Sequence, residues 1–359
     1  MMKRIIYITL AAVALLLSAC SERPIDPMPQ VPGSTGSYIF FEPEVIESVE
    51  TKTTMVEGTT LPGSFGVYGY AESQTLFNGN EVYKNSDGYF TYDNLVRWVD
   101  GTTPHNFYAY YPYSLDVSVS NNKPYIAYTQ PTTQSSMIDI LTANKTTQKM
   151  SVVDLTFQHR LWAMDITIKN NREQDDLIYN PDTGNNDLNT GKQVKAKSIK
   201  IEFDDIPASA SLYLDGDIQL SDNRLTFTKD YPAVTLEAGK SSTLNGQDSF
   251  LFLPCPSFKY RITIEFENTW GVSYIAHHPS TYKTTEDGEP DYDSNGQIQW
   301  DWATAKGPNS GGFNAGYRYT LDIVKSDYDL TFVWDKTEWG EWDEIAQKWV
   351  NIKVEHTFN

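Results

Sequence analysis

Tyr260-Arg261-Ile262-Thr263-Ile264-Glu265-Phe266-Glu267 decides the fold class. Tyr260, Ile262, Ile264 and Phe266 fall on one side of an extended chain, and Arg261, Thr263, Glu265 and Glu267 on the other. A period of two puts one face on a core and the other in water. The pattern recurs on either side of this stretch. Ile199, Ile201 and Phe203 alternate with Lys200, Glu202 and Asp204, and Tyr317, Tyr319, Leu321 and Ile323 alternate with Arg318, Thr320 and Asp322. Leu212-Tyr213-Leu214-Asp215-Gly216-Asp217-Ile218 reads as a hairpin, with Asp-Gly taking the positive φ of a primed turn. Helical periodicity is nearly absent; only residues 136–143, SMIDILTA, suit one or two helical turns. Many short alternating segments separated by Gly, Asn and Asp describe an all-β chain made of β-sandwiches.

Residues 152–168 change register partway along. Val153, Leu155, Phe157, His159 and Leu161 occupy odd positions, whereas Met164, Ile166 and Ile168 occupy even ones. A slip of one residue exchanges the faces of a strand, so a bulge or a change of sheet is expected between Arg160 and Ala163. The domain boundary is placed just before this segment, near residue 150, with a break after Asn171 as the alternative. An N-terminal β-sandwich then spans residues 38–150 and a C-terminal one residues 151–359.

The N-terminus reads as an export signal over residues 1–19. Lys3 and Arg4 precede the apolar run Ile5 to Leu17, followed by Leu17-Ser18-Ala19-Cys20. The run is too short to span a bilayer permanently and suits a secretory segment. Small residues before a cysteine form the site at which lipoprotein signal peptidase cuts, once the Cys20 sulfur carries diacylglycerol. Multiple acyl chains anchor stably because each buried methylene contributes about 0.8 kcal/mol. Residues 21–37, SERPIDPMPQVPGSTGS, hold four prolines and almost no large apolar side chains, which makes residues 20–37 a lipidated tether.

The 359 residues are 40% hydrophobic and 13% aromatic, enough for two cores of ordinary size. Of 28 basic residues the signal removes Lys3 and Arg4, leaving 26 against 47 acidic ones, a net −21. Such a charge argues against nucleic acid and against an anionic membrane surface as partners. Cys255 is the only cysteine besides Cys20, so no internal disulfide forms; Leu251-Phe252-Leu253-Pro254-Cys255-Pro256 makes it a small hydrophobe at a strand end.

Catalytic signatures are missing from the sequence: no His-Glu-x-x-His, no Cys-x-x-Cys and no Gly-x-Ser-x-Gly. The chain is expected not to be an enzyme. Of the histidines, His159 lies on an apolar face as a satisfied core residue, and His277-His278 lie in an exposed turn before Pro279. Asp291, Asp293, Asn295 and Gly296 match positions 1, 3, 5 and 6 of an EF-hand calcium loop, with Ile298 at position 8. Trp302 replaces the closing carboxylate at position 12. The two readings are a weak calcium site on Asp291, Asp293 and Asn295, or an acidic hairpin loop. No other cofactor is expected. Trp334, Trp339, Trp342 and Trp349 crowd the tail among acidic residues, where they either stack on sugar rings or fill a core or subunit interface.

Five motifs in order carry a family resemblance. They are Phe65-Gly66-Val67-Tyr68-Gly69-Tyr70, Phe107-Tyr108-Ala109-Tyr110-Tyr111-Pro112, Asp139-Ile140-Leu141-Thr142-Ala143, Val153-Asp154-Leu155-Thr156-Phe157-Gln158-His159 and Gly316-Tyr317-Arg318-Tyr319. On a lipoprotein, over roughly residues 37–335, this order resembles the fimbrillin-like lipoproteins of Bacteroidales, subunits of type V pili. The resemblance implies two sandwiches of transthyretin-like Greek-key topology and a structural or adhesive subunit of a cell-surface fimbria. It implies a lipidated precursor at the outer membrane, from which an arginine-specific protease removes the lipid and first strand. The uncovered groove then accepts a strand of the next subunit. Tyr38 to Val49 is the candidate removable strand, and Glu50-Thr51-Lys52-Thr53-Thr54 the candidate processing site. The family carries arginine where this chain has Lys52, the candidate processing residue; the departure leaves two further outcomes open, that the lipid stays as an anchor or that the chain is cut elsewhere. Val350, Ile352, Val354 and Phe358 alternate with polar residues as a candidate donor strand or as an edge strand of their own domain. Implied partners are other pilus subunits, the outer membrane through the lipid, and a host protein or glycan. The alternative functional reading is a surface glycan-binding lipoprotein for nutrient uptake.

Overall fold

The computed structural model describes residues 38–45, 61–172, 176–180, 185–189, 193–246, 248–267, 273–307, 311–326, 330–338, 342–343 and 348–349. Cys20, Lys52, Val350, Ile352, Val354 and Phe358 lie outside them. Among the described residues, the first half runs β1 Phe41–Val45, β2 Phe65–Ala71, β3 Gln74–Lys84, β4 Phe90–Thr91, β5 His105–Tyr111, β6 Val117–Ser120, β7 Lys123–Thr129, β8 Leu141–Thr147 and β9 Val153–His159. Next come β10 Trp162–Asn170, β11 Asp176–Asn180, β12 Asn185–Asn189, β13 Val194–Pro207, β14 Ser209–Tyr213, β15 Ile218–Leu220, β16 Arg224–Tyr231 and β17 Val234–Leu236. Then follow β18 Ser241–Thr243, β19 Phe250–Phe252, β20 Ser257–Glu267, β21 Ser273–His278, β22 Ala303–Lys306, β23 Tyr317–Lys325, β24 Leu330–Glu338, β25 Trp342–Asp343 and β26 Lys348–Trp349. The chain is all-β, as the alternation requires.

Seven strands form the N-terminal sheet in the order β1-β9-β8-β5-β2-β3-β4. Its ladders are antiparallel except at the edge, where β1 runs parallel to β9. The sheet curls until its two ends meet: Phe41 of β1 packs against Phe77 of β3 at 5.3 Å between ring centroids and against Tyr92, just past β4, at 6.1 Å. Phe65, Val67, Phe107, Leu155 and Phe157 fill the space enclosed. β2 is buried along its whole length because it has a core on each face. Phe65 and Val67 look inward, while Tyr68 and Tyr70 join the core of the second half.

The second half is a sandwich. One sheet has the order β18-β10-β23-β24, with β19 also on β10. The other has the order β16-β13-β20-β21, with β17 on β13 and β22 on β20. Ile166 and Leu321 from the first sheet share one buried cluster with Ile201 and Ile262 from the second. Trp162 closes one end, stacked on Phe313 at 4.7 Å, with its indole N–H on the Leu253 carbonyl at 2.9 Å. Cys255 is buried at a bridge to Phe313, and burial pushes its thiol up to about 12.

The expected change of sheet is present, but the expected boundary is displaced. β9 pairs with β1 and β8, and its Val153, Leu155 and Phe157 fill the first core, so the crossing falls between His159 and Trp162 rather than near residue 150. Nor do the halves separate cleanly. β7 pairs antiparallel with β14, Ser209 opposite Thr129 and Tyr213 opposite Tyr125, giving a shared sheet β15-β14-β7-β6. Buried pairing across the crossing adds to this: Gln130 donates to the Leu251 carbonyl at 2.9 Å and accepts from the Leu253 N–H at 3.0 Å. Periodicity reports which face is buried and not which strand lies alongside, so a strand traded between halves leaves no mark in it.

Two local expectations also change. Residues 136–143 do not form a helix; a 3-10 turn at Gln134–Ser136 precedes extended chain and β8, because Met137, Ile140 and Leu141 must all reach core. The 212–218 hairpin is real, with Leu212 opposite Ile218, but only Gly216 takes a positive φ (110°). Gly216 is the fourth residue of the turn, its N–H donating to the Tyr213 carbonyl at 3.2 Å; the central residues Leu214 and Asp215 are not left-handed, so the turn is not of the primed type.

Candidate functional site

The first edge of the N-terminal sheet is built differently from its interior, with β1 paired only to β9 and in parallel. β1 has the composition of an edge strand. Pro43 offers no N–H and is tolerated only where a ladder is one-sided, and Glu42 and Glu44 are exposed. Its inward residues are Phe41 and Val45, preceded by Ile39, all buried. Each such side chain contributes about 1.5–3 kcal/mol by leaving water. Phe41 meets Phe65, Phe77 and Phe107 edge-on, with centroids at 6.5, 5.3 and 5.5 Å. Aromatic edges against faces are the favoured arrangement.

Polar contacts tie the entry to this strand. The Ile39 N–H donates to the Val96 carbonyl at 2.9 Å, and the Tyr92 hydroxyl donates to the Ile39 carbonyl at 2.6 Å. Burial pushes the Tyr92 phenol up to about 12, so it stays a donor throughout the physiological range. Arg97 lies over the Tyr38 ring at 4.8 Å and donates to its hydroxyl at 2.9 Å. Without β1, the β9 edge from Val153 to Phe157, the rings of Phe65, Phe77 and Phe107 and the Tyr92 hydroxyl would line an open groove. It would present unpaired backbone on one side and an apolar pocket opposite the Phe41 position.

Of the predicted removable strand, residues 38–45 are described; residues 46–49 lie outside the described residues. Cys20, Lys52 and the candidate donor residues Val350, Ile352, Val354 and Phe358 do as well. Of the tail tryptophans, Trp334 is buried at 1% exposure against Tyr260 and Phe313, a core position rather than a sugar platform. The side chains of Trp339, Trp342 and Trp349 lie outside the described residues.

Asp291, Asp293 and Asn295 sit in an arm, residues 279–302, that departs from β21 and returns to β22. Asp293 accepts the backbone N–H groups of Asn295 at 2.8 Å and Gln297 at 2.9 Å, which holds its carboxyl below the usual range. Asp291 accepts from Gln299 at 3.3 Å. Among the described residues, no group of three or more His, Cys, Asp or Glu side chains is arranged to hold a metal ion.

His277 and His278 are not in an exposed turn. They end β21 half-buried: the arm folds back to stack Trp300 on His277 at 3.8 Å, and His278 stacks on Phe332 of β24 at 3.9 Å. His159 is a core residue as expected, with Nδ1 at 2.9 Å from the Asp139 carboxylate. The sequence reading missed Phe77, Tyr92 and Val96 as groove residues. Phe90-Thr91-Tyr92 between two turn-rich stretches was the available signal.

Comparison with known proteins places the chain. The fimbrillin-like family model matches residues 51–333. A fimbrial protein from Bacteroides vulgatus is 14% identical and superposes with a TM-score of 0.53, covering 83% of this chain and 99% of that one. The fimbrial anchor protein Mfa2 from Porphyromonas gingivalis is 10% identical (TM-score 0.35; 84% and 96% covered). A fimbrial assembly protein from Parabacteroides distasonis is 11% identical (TM-score 0.34; 81% and 91% covered). No curated protein matches.

Proposed function

The chain belongs to the fimbrillin-like family, and from that premise we propose that it is a structural or adhesive, non-enzymatic subunit of a cell-surface fimbria. It is exported as a lipoprotein precursor through Cys20 and assembled at the outer membrane by strand exchange with other subunits. The observation that carries this reading is the construction of β1. It is a short parallel edge strand with ladder contacts on one side, a proline, and apolar plugs set in a ring of aromatics. An extended segment with alternating apolar residues would satisfy the same groove. The terminal segment with Val350, Ile352, Val354 and Phe358 has that pattern and is the proposed donor.

Mass spectrometry of the surface-released protein tests the reading. A mature N-terminus near Thr53, cut at Lys52, is expected of a subunit that polymerises. Recovery solely of chains beginning at acylated Cys20 would refute the polymerising version and leave an anchor. The nutrient-uptake alternative drew on a tryptophan platform in the tail. With Trp334 in the core, no described residue of that tail supports it.

A further inference from the structure

The middle of β3 breaks the rules of a strand. Asn78-Gly79-Asn80 occupies a stretch where β-branched or aromatic residues would pack better. The ladder to β2 skips Gly79, since Val67 pairs with Asn80 and Tyr68 with Asn78. Gly79 takes φ +75°, and a Cβ there would sit 2.9 Å from the Tyr68 hydroxyl. Bulges of this kind re-aim side chains and gather at functional sites. Here the bulge borders a cleft of about 340 Å³ on the far side of β3 from the β1 groove. Asn78, Asn80, Glu81, Tyr83, Asp93 and Tyr113 line it.

We propose that this cleft binds a neutral saccharide. Its chemistry suits a pyranose. Carboxylate oxygens accept from hydroxyl groups, and an amide offers donor and acceptor side by side, as vicinal hydroxyls require. Tyr83 and Tyr113 keep 36% of their surface exposed, offering ring surface for the C–H face of a sugar. The Tyr83 hydroxyl donates to Asp93 Oδ1 at 3.0 Å, which orients that carboxylate. Among the described residues, no hydrogen-bond partner engages Asp93 Oδ2 or the Glu81 carboxylate. The lining holds no Lys, Arg or His, so the two carboxylates repel an acidic sugar. A metal ion is a poorer fit, because the described residues include no three-ligand group. The inference does not rest on strand exchange: a saccharide would bind the isolated subunit whether or not it polymerises.

Saturation-transfer NMR on the full exported chain, with methyl galactoside, methyl N-acetylglucosaminide and glucuronate as probes, decides it. At least one neutral glycoside should receive saturation and glucuronate should not. Asp93→Asn should weaken that binding by roughly tenfold, the loss of one charged acceptor. Asn94→Gly provides a second variant that keeps the fold, because Asn94 holds φ 57°, which glycine adopts freely. It removes an amide from the rim and should also weaken binding. The proposal is overturned if no neutral glycoside is saturated, if glucuronate binds equally well, or if both variants retain full affinity with unchanged near-UV spectra.

Discussion

At the scale of single residues, close approaches carry clear predictions. Gly66 lies under the Tyr110 ring, and a Cβ there would stand 2.1 Å from the ring atoms. Gly66→Ala should cost about 1–3 kcal/mol by overpacking. In a Tyr110→Ala background most of that cost should vanish; a cost unchanged in the double-mutant cycle would show that the ring is not the obstacle. His278 offers a pH test. Burial holds its pKa down to about 4, against an ordinary 6.5. The unfolded chain takes up the proton first, so this contribution is complete above 6.5 and is lost as pH falls from about 6.5 to about 4. The urea midpoint of His278→Gln should therefore fall less steeply than that of the parent across this window; parallel curves would contradict it. Cys255, with its thiol pushed up to about 12, should resist iodoacetamide until the chain unfolds, as mass spectrometry of the labelled protein would report.

At the scale of elements, β1 is separable in a way no central strand is. Its backbone is bound on one side and its side chains enter a pocket walled by residues of β2, β3, β5 and β9. A chain starting at Thr53 should bind a synthetic Tyr38–Val49 peptide, detected by quenching or shift of tryptophan emission, since Trp98 packs on Phe107 at 5.8 Å. Phe41→Ala in the peptide should weaken binding by about 3 kcal/mol, the scale of a buried phenylalanine truncation. Equal affinity of the two peptides would mean that the aromatic ring does not anchor the strand. The alternating strands were legible at this scale. Ile199, Ile201 and Phe203, like Ile262 and Ile264, are buried as the period of two requires. The arm at 279–302 was not legible, because stacking of Trp300 on His277 joins residues whose local patterns say nothing of each other.

At the scale of the whole molecule, the shared sheet makes the halves interdependent. Strand β7 lies between β6 and β14, and one buried cluster runs from Tyr68 through Ile126 and Leu212 to Trp334. Thermal unfolding should appear as a single transition, coincident by near-UV and far-UV circular dichroism. Two resolved transitions would show that the halves fold independently.

The division between the two kinds of information follows the range of the interactions. Alternation, turn residues and the register change after His159 are local, so the sequence by itself determined an all-β chain, its buried faces and a change of sheet. The choice of neighbour for each strand depends on contacts between residues distant along the chain. Only the tertiary structure decided that β9 stays with the first core, that β7 joins β14, and that Phe41 closes a ring of aromatics drawn from β2, β3 and β5. A strand's period records whether it is buried; its partner is set by packing and backbone pairing, which no short window of sequence contains.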